Sequence, residues 1–310
     1  EVISMKILNF GSLNIDKVYQ VKDFVRPGET ISSKKLDFFC GGKGLNQSIA
    51  ISRAGAPVYH AGCIGYDGDM LSDALTASHI HTEYLRKLEI PTGHAVIQVS
   101  DTGQNCILLF GGANQAITSE QIRETLSHFS AGDILLLQNE INHLAILIEQ
   151  AFEKGMQIYL NPSPVTEQLK EISLDKISCL ILNEIEAADL CAAEWKKQKQ
   201  AGTSLPESPE ECARALHSLH PGLQILLTMG TKGSIFLSRQ KFHFQEAFPV
   251  NAVDTTAAGD TFTGYFIAAV SRDETVEAAM EEAAKASAIA VTRAGASASI
   301  PLREEVLAWK

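Results

Sequence analysis

The spacing of apolar residues in the N-terminal part of the chain predicts strands of two kinds. The run ILNF at 7–10 is uninterrupted and predicts a buried strand that ends in Gly11-Ser12 and the polar pair Asn14 and Asp16. The next stretch, 17–39, alternates apolar and polar residues and predicts exposed β structure. Residues 92–110 also read as β structure and predict a hairpin that turns at Gly103. Helical spacing separates these pieces, so the β-rich segments are interleaved with a different kind of structure.

A second pattern begins near residue 118, where short apolar runs alternate with amphipathic helical segments. Runs this apolar suit strands that are covered on both faces, which is typical of a parallel sheet. Each strand is expected to end in a polar residue or glycine, and the polar residues are Gln138, Asn161, Asn183 and Thr228. Because ligands of open α/β sheets bind at the carboxyl ends of the strands, we expect these side chains to outline a cleft. The runs are ILLLQ at 134–138, IYLN at 158–161, CLILN at 179–183 and ILLTMG at 225–230.

These patterns predict one domain over residues 5–310, with a small β lid formed by about 15–40 and 92–110. Residues 194–211 are polar, contain two prolines, and are interpreted as a surface excursion. Residues 1–4 precede a methionine and are interpreted as an addition to the natural chain.

Composition narrows the class of protein. The chain has 310 residues and a net charge of -11, which argues against nucleic acid or an anionic membrane as the main partner. Six cysteines are scattered without a CxxC pair, as is usual in a reducing cytoplasm, and His79 and His81 lack a third candidate ligand nearby. No apolar run approaches 18 residues, and no secretory signal is visible.

The segment DTTAAGDTFTGYF at 254–266 carries the clearest candidate chemistry. It places Asp260 directly behind three small residues and ahead of an apolar helical pattern. Small residues let a ligand approach the backbone, and the N–H groups at a helix start attract anions. A carboxylate at such a site could take a proton from a hydroxyl that attacks a phosphoryl group. The alternative is an ordinary helix N-cap.

The common phosphate-binding motifs are missing from the sequence. It has no GxxxxGK[ST], no GxGxxG after the first strand, and neither HRD nor DFG. Any phosphate chemistry must therefore use another architecture.

Several motifs together resemble the ribokinase-like sugar kinases, also called the phosphofructokinase-B carbohydrate kinase family. GGKGLNQ at 41–47 and AGCIGYDGDM at 61–70 are similar to the N-terminal signature of that family, and 254–266 is similar to its C-terminal signature. Shorter matches, in the family's order, are NPSP at 161–164, NEIE at 183–186, TMGTKG at 228–233 and VTRAGA at 291–296. The resemblance implies a three-layer α/β/α fold with a mainly parallel central sheet and a small β lid.

The resemblance also implies roles for individual residues. Asp260 would be the general base, and the backbone amides of Ala257, Ala258 and Gly259 would form an anion hole. The residues matched to sugar binding are Asn14, Asp16, Gly41, Gly42, Lys43, Asn46, Glu140 and Asp260. Those matched to nucleotide and Mg²⁺ are Asn183, Glu186, Thr228, Gly230, Gly233 and Gly259, and those matched to K⁺ are Asp254, Thr256, Ala290, Arg293, Gly295 and Ser299.

Structural alternatives exist for three of these groups. Asn14 and Asp16 could form a turn, Lys43 could be a solvated turn lysine, and Asn183 with Glu186 could be an unremarkable i, i+3 pair.

The implied activity is ATP-dependent phosphorylation of the primary hydroxyl of a pentose, D-ribose to D-ribose 5-phosphate, by a cytoplasmic homodimer that pairs through the lid. Alternative acceptors are deoxyribose, fructose, a sugar acid and adenosine. Lys43 is the one clear basic residue in the sugar motifs, which disfavours a sugar phosphate. A non-catalytic sugar-binding regulator is a further alternative, but it could lose Asp260 or Gly259, and both are present.

Overall fold

A computed structural model describes residues 5–197 and 204–309. Residues 1–4, which were interpreted as an addition, lie outside the described residues. So does the part of the predicted 194–211 excursion at 198–203. The strands, in chain order, are β1 (Ile7–Phe10), β2 (Asn14–Gln20), β3 (Lys35–Gly41), β4 (Val58–Ile64), β5 (His81–Lys87), β6 (Gly93–Val99), β7 (Asn105–Phe110), β8 (Ile134–Gln138), β9 (Gln157–Asn161), β10 (Cys179–Asn183), β11 (Gln224–Thr228), β12 (Ser234–Leu237) and β13 (Phe242–Gln245).

The α-helices of the described residues lie between and after these strands. They are α1 (Lys43–Arg53), α2 (Asp69–Ala77), α3 (Ser119–Ser127), α4 (Leu144–Glu153), α5 (Glu184–Lys197), α6 (Pro209–Leu219), α7 (Ala258–Ser271), α8 (Val276–Val291) and α9 (Arg303–Ala308). Within the described ranges, no helix is long and apolar enough to span a membrane.

Nine strands form the central sheet, in the order β13-β12-β11-β10-β9-β8-β1-β4-β5. All neighbouring pairs from β11 to β5 are parallel, and β12 pairs antiparallel with both β11 and β13. Parallel strands must be covered on both faces, which explains their continuous apolar runs. The predicted mainly parallel sheet is confirmed.

Two apolar cores lie on opposite faces of this sheet. Successive side chains of a strand point to opposite faces, so Leu8 and Leu135 pack with α3, α4, α5 and α6. Ile7 and Leu136 pack with α1, α2, α7, α8 and α9. The molecule is therefore a three-layer α/β/α structure, as the resemblance implied.

A second sheet of four strands, in the order β3-β2-β6-β7, projects from the central sheet. Its strands span 14–41 and 93–110, close to the bounds predicted for the lid, and β6 pairs antiparallel with β7 as the predicted hairpin. We call this four-stranded sheet the lid.

The structure shortens the surface excursion predicted at 194–211. Residues 194–197 belong to the end of α5, and Glu194 is buried beside His220. At the other end, Ser208 caps α6, whose first residue is Pro209. The prolines and charges that suggested a loop are partly the start signal of a helix.

Candidate active site

Asp260 lies in the first turn of α7, at the carboxyl edge of the central sheet. Ala257, immediately before the helix, has the left-handed conformation (φ 59°), which turns the chain into α7. In the described part of the chain, the N–H groups of Gly259 and Asp260 have no hydrogen-bond partner, whereas that of Ala258 donates to the carbonyl of Thr255 at 3.2 Å. This helix start offers N–H groups and a positive dipole end to an anion.

Helix α1, not α7 itself, holds the carboxylate of Asp260. Asn46 Nδ2 donates to Oδ2 at 3.0 Å, and Gln47 Nε2 donates to Oδ1 at 2.9 Å. The two helices can approach this closely because residue 264 is glycine, since a Cβ there would overlap the Cβ of Ala50. The N-cap alternative for Asp260 is wrong, because Ala257 occupies that position and Asp260 is the third residue of the helix.

Asn14 and Asp16 begin the first lid strand, β2, and do not close β1 as the apolar pattern predicted. They are two residues apart in a strand, so their side chains share one face. Asn114 Nδ2 donates to Asn14 Oδ1 at 2.8 Å and so fixes that amide. Gly41 pairs opposite Asn14, and a Cβ at residue 41 would overlap the carboxylate of Asp16. The alternative of an Asn-Asp turn does not hold.

Two carboxylates face the same space at this end of the site. Burial, and then the negative charge of Glu140, raises the pKa of Asp16 to about 6. Burial also raises the pKa of Glu140, although Lys43 and a hydrogen bond from the Ser12 hydroxyl partly oppose the shift.

Lys43 lies among these acidic groups and is half-buried. Burial alone would lower the pKa of Lys43, but the charges of Asp260, Glu140 and Glu186 outweigh it and raise that pKa. The side chain is therefore a cation at neutral pH. Its half-buried position in the lining of the polar cleft, beside three carboxylates, does not fit a solvated turn lysine.

A polar cleft of about 230 Å³ joins Lys43 and Asp260 to the strand ends. Asn161, Asn183 and Thr228 line it, as the strand pattern predicted. Gln138, the fourth predicted strand end, lies beneath the cleft and is fully buried. Its amide donates to Gln47 of α1 and to Asn9 of β1, so this last side chain of β8 points into the protein.

Asn183 and Glu186 form the capping interaction of α5. Asn183 Oδ1 accepts the N–H groups of Ile185 and Glu186, both at 2.9 Å, and Glu186 accepts the N–H of Asn183 at 3.0 Å. The i, i+3 spacing therefore has a structural explanation. Both side chains also line the polar cleft, so the cap sits beside Lys43 and Asp260.

A larger cavity of about 630 Å³ continues from the polar cleft toward β12 and α8. Thr228, Gly230 and Gly233 border it, as predicted for the nucleotide side. Its other walls are mostly apolar, which suits a flat heterocycle better than another phosphate. They include four residues that sequence reasoning missed, because 246–252 carries no motif: Glu246, Phe248, Pro249 and Val250. The other wall residues belong to α7 and α8 and are Phe262, Ala284, Ser287, Ala288 and Val291.

The residues matched to K⁺ lie around the chain segment before α7 and the end of α8. Asp254 accepts the N–H of Thr256 through Oδ1 and that of Gly295 through Oδ2, both at 2.9 Å. Ala290, in the last turn of α8, and Ser299 are both fully buried. The Arg293 side chain forms an ion pair with Glu305. Burial would raise the pKa of Asp254, but these hydrogen bonds lower it, so the carboxylate is ionised.

Four buried polar side chains around the site were not among the predicted residues. Gln47 lies inside the GGKGLNQ segment and so carried a signal that went unused. Nothing in the local sequence marks the others, because their role depends on contacts across about 35 residues or more. The four are Asn9, Ser12, Gln47 and Asn114.

Comparison with known proteins agrees with this geometry. The chain matches the pfkB family carbohydrate kinase profile over residues 4–303. It is 35% identical over 309 residues to a ribokinase of Staphylococcus aureus, covering 97% of this chain and 98% of that protein. It is 30% identical over 309 residues to a deoxyribokinase of Salmonella typhi, covering 97% of each.

Among solved structures, Arabidopsis thaliana ribokinase complexed with ribose and ATP has a TM-score of 0.84 and 31% identity, covering 98% of each chain. The chain therefore belongs to the pfkB family of carbohydrate kinases. It is a phosphotransferase with the ribokinase-like α/β fold.

Proposed function

We propose that this enzyme transfers the γ-phosphoryl group of ATP to the primary hydroxyl of D-ribose and forms D-ribose 5-phosphate. The observation that carries the proposal is the position of Asp260. Its carboxylate lies in the first turn of α7 and lines the polar cleft together with Lys43. Its charge acts on Glu140, and the charge of Glu140 acts in turn on Asp16 of the lid. Relatives named ribokinase over nearly the whole chain support ribose as the acceptor.

In this mechanism Asp260 accepts the proton of the sugar hydroxyl while the sugar oxygen attacks the γ-phosphorus. The bond from the γ-phosphorus to the bridging oxygen breaks, and ADP leaves with that electron pair. The N–H groups of Ala257, Ala258 and Gly259 stabilise the charge on the transferred phosphoryl oxygens, and that of Ala258 must leave the carbonyl of Thr255 to do so. Lys43, held as a cation among carboxylates, adds positive charge at the same place.

The opposite end of the site suits vicinal hydroxyl groups. Asp16 and Glu140 supply acceptors, and Asn14 and Asn46 supply amides that can donate or accept. Gly41 and Gly42 bring the backbone close to the sugar without a side chain. Deoxyribose, fructose, a sugar acid and adenosine remain alternative acceptors, and the deoxyribokinase relative makes deoxyribose the first to compare.

The metal ions of the proposed reaction fit the residues present. Mg²⁺ keeps several waters and binds through one or two carboxylates and the substrate phosphates, which Glu186 at the polar cleft allows. K⁺ prefers oxygen ligands, and the ionised Asp254, the carbonyls of Thr256, Ala290, Arg293 and Gly295, and the hydroxyl of Ser299 are of that kind. When bound, Mg²⁺ neutralises phosphate charge, and K⁺ would fix the turn before α7.

We infer one kinase domain over 5–310, and a homodimer whose lids pack together. All six cysteines are free, which supports a reducing compartment such as the cytoplasm.

A coupled ADP-release assay tests the proposed function. With ATP, Mg²⁺ and K⁺, we expect turnover on ribose to exceed that on deoxyribose, fructose, fructose 6-phosphate, adenosine and a ketogluconate. Asp260→Asn should lower kcat by about 10²–10⁴-fold, because the variant cannot accept the proton. Turnover on a different acceptor would move the substrate assignment. Sugar binding without turnover on any acceptor would favour the regulatory alternative.

A further inference from the structure

A chain of buried side-chain amides begins at Asp260 and leads away from the cleft. Gln47 Nε2 donates to Asp260 Oδ1 at 2.9 Å, and Gln47 Oε1 accepts from Gln138 Nε2 at 2.7 Å. Gln138 Nε2 also donates to Asn9 Oδ1 at 3.0 Å. At most 1% of each of the three amide residues is exposed to solvent. We call Gln47, Gln138 and Asn9 the amide chain.

The far end of the amide chain is anchored to the backbone and to a neutral ring. Asn9 Nδ2 donates to the carbonyl of Gly44 and to Ser48 Oγ, both at 2.8 Å. Since Ser48 Oγ accepts from Asn9, its hydroxyl can donate to His60 Nδ1 at 2.8 Å. Burial lowers the pKa of His60 to about 4, so the ring is uncharged at neutral pH. Asp260 is thus the charged end of the chain.

The charge of Asp260 fixes the orientation of every amide in this chain. An ionised carboxylate only accepts hydrogen bonds, so Gln47 must present its NH₂ group to Asp260 and its oxygen to Gln138. Gln138 must then present NH₂ to both Gln47 and Asn9. A flipped amide at any point would place two oxygens or two NH₂ groups against each other in a buried site, which is costly.

We propose that Gln47 and Gln138 are positioning residues for Asp260, holding its carboxylate where it meets the sugar hydroxyl. Asn46, the other donor to Asp260, also belongs to the proposed sugar shell, whereas the amide chain lies below the cleft. Small misplacements of a catalytic group cost rate, so the chain should affect kcat more than binding. This inference rests on the proposed kinase function.

Gln138→Met tests the proposal without touching Asp260. Methionine has a similar volume but removes both donors, which leaves Gln47 free to rotate. We expect kcat to fall about tenfold, and KM for ribose and for ATP to change less than about twofold. Gln121→Met is the matched control, because Gln121 is also buried and Nε2 donates to the carbonyl of Gly62 at 3.0 Å, on the other face of the sheet. Gln121→Met should lower the melting temperature about as much as Gln138→Met does and leave kcat unchanged.

A second comparison separates positioning of Asp260 from general damage. In the Asp260→Asn background, adding Gln138→Met should have no further effect on kcat, since the carboxylate is already gone. The proposal is overturned if folded Gln138→Met keeps the wild-type kcat, if only KM rises, or if the full tenfold loss persists in the Asp260→Asn background.

A spectroscopic measurement decides the case where the Gln138 variant does not fold or the wild type turns over none of the sugars. In isotope-labelled protein, Asp260→Asn should shift the side-chain NH₂ resonances of Gln47 and Gln138, and leave that of Gln121 in place. Asp16→Asn is the control substitution and should move neither Gln47 nor Gln138. Unchanged resonances of Gln47 and Gln138 in Asp260→Asn would refute the amide chain, whatever the assay shows.

Discussion

The two carboxylates at the sugar end of the site set its response to pH. Asp16 titrates within the experimental range, because burial and the charge of Glu140 raise its pKa to about 6. Above that pH Asp16 is ionised and accepts hydrogen bonds from sugar hydroxyls. Below it the group binds a proton and loses acceptor capacity. Sugar affinity should therefore weaken as the pH falls.

We predict that the Kd for ribose rises about tenfold between pH 7.5 and pH 5, as one proton binds to a group with a pKa near 6. Calorimetry without ATP measures this directly and avoids the titration of the nucleotide. In Asp16→Asn the affinity should be low and nearly independent of pH over the same range. A wild-type Kd that stays constant from pH 7.5 to pH 5 would contradict the role of Asp16.

The sequence predicts the positions of some site residues and misses others. Asp260 and the strand ends Asn161 and Thr228 were predicted from local pattern, because a helix start or a strand end marks them. Asn114 could not be, since its contact with Asn14 spans 100 residues and no local signal points to it.

Helix α5 shows that one motif can serve both folding and chemistry. Asn183 caps this helix and also faces the polar cleft. Ser208 caps α6 in a similar way, with the Glu211 N–H donating to its hydroxyl at 3.2 Å, but it lies outside the cleft. The two caps allow the structural and the functional contributions of Asn183 to be separated.

Asn183→Ala and Ser208→Ala should each reduce the free energy of unfolding by about 1 kcal/mol, as the loss of an N-cap usually does. Only Asn183→Ala should also lower kcat or raise the Mg²⁺ concentration needed for half-maximal rate. Chemical denaturation and a Mg²⁺ titration of the rate measure the two effects. Equal rates in the two variants would mean that Asn183 acts solely as a cap.

Strands and helices were predicted well where the apolar pattern was long. They were predicted poorly where polar residues could belong either to a loop or to a helix end. The parallel strands are buried on both faces, so their apolar runs were unambiguous. Residues 194–197 end α5 and residues 209–211 begin α6, and charged residues are common at helix ends, yet the same composition suggested a loop. The first strand was predicted to lead to Asn14 and Asp16, but the chain crosses into the lid after Phe10.

The lid leaves an unusually apolar surface on the outside of the molecule. Every residue of β7 is exposed, including Leu108 at 70% and Phe110 at 49%, and Phe38 on β3 is 53% exposed. Strands β3 and β7 are also the edges of the lid sheet, so each carries backbone groups without a partner in that sheet. Exposed apolar edges of this kind invite pairing, and a second copy of the chain can cover both.

We therefore predict that the wild-type protein is a dimer at micromolar concentration and that Leu108→Asp converts it to a monomer. Burying a carboxylate against an apolar partner is costly, so the substitution should oppose lid packing. Light scattering after size-exclusion chromatography measures the mass. Leu307→Asp is the control, because Leu307 is 65% exposed on α9, outside the lid, and the variant should stay dimeric.

The same substitution connects assembly with sugar binding. Asn14 and Asp16 lie on β2, which pairs directly with the edge strand β3, so a lid without its partner should hold the sugar less firmly. We expect Leu108→Asp to raise KM for ribose more than KM for ATP, since the nucleotide cavity is built from the central sheet, α7 and α8. A wild-type protein that is monomeric at tens of micromolar would refute the lid-to-lid dimer. A monomeric Leu108→Asp variant with an unchanged KM for ribose would limit the dimer to protecting an apolar surface.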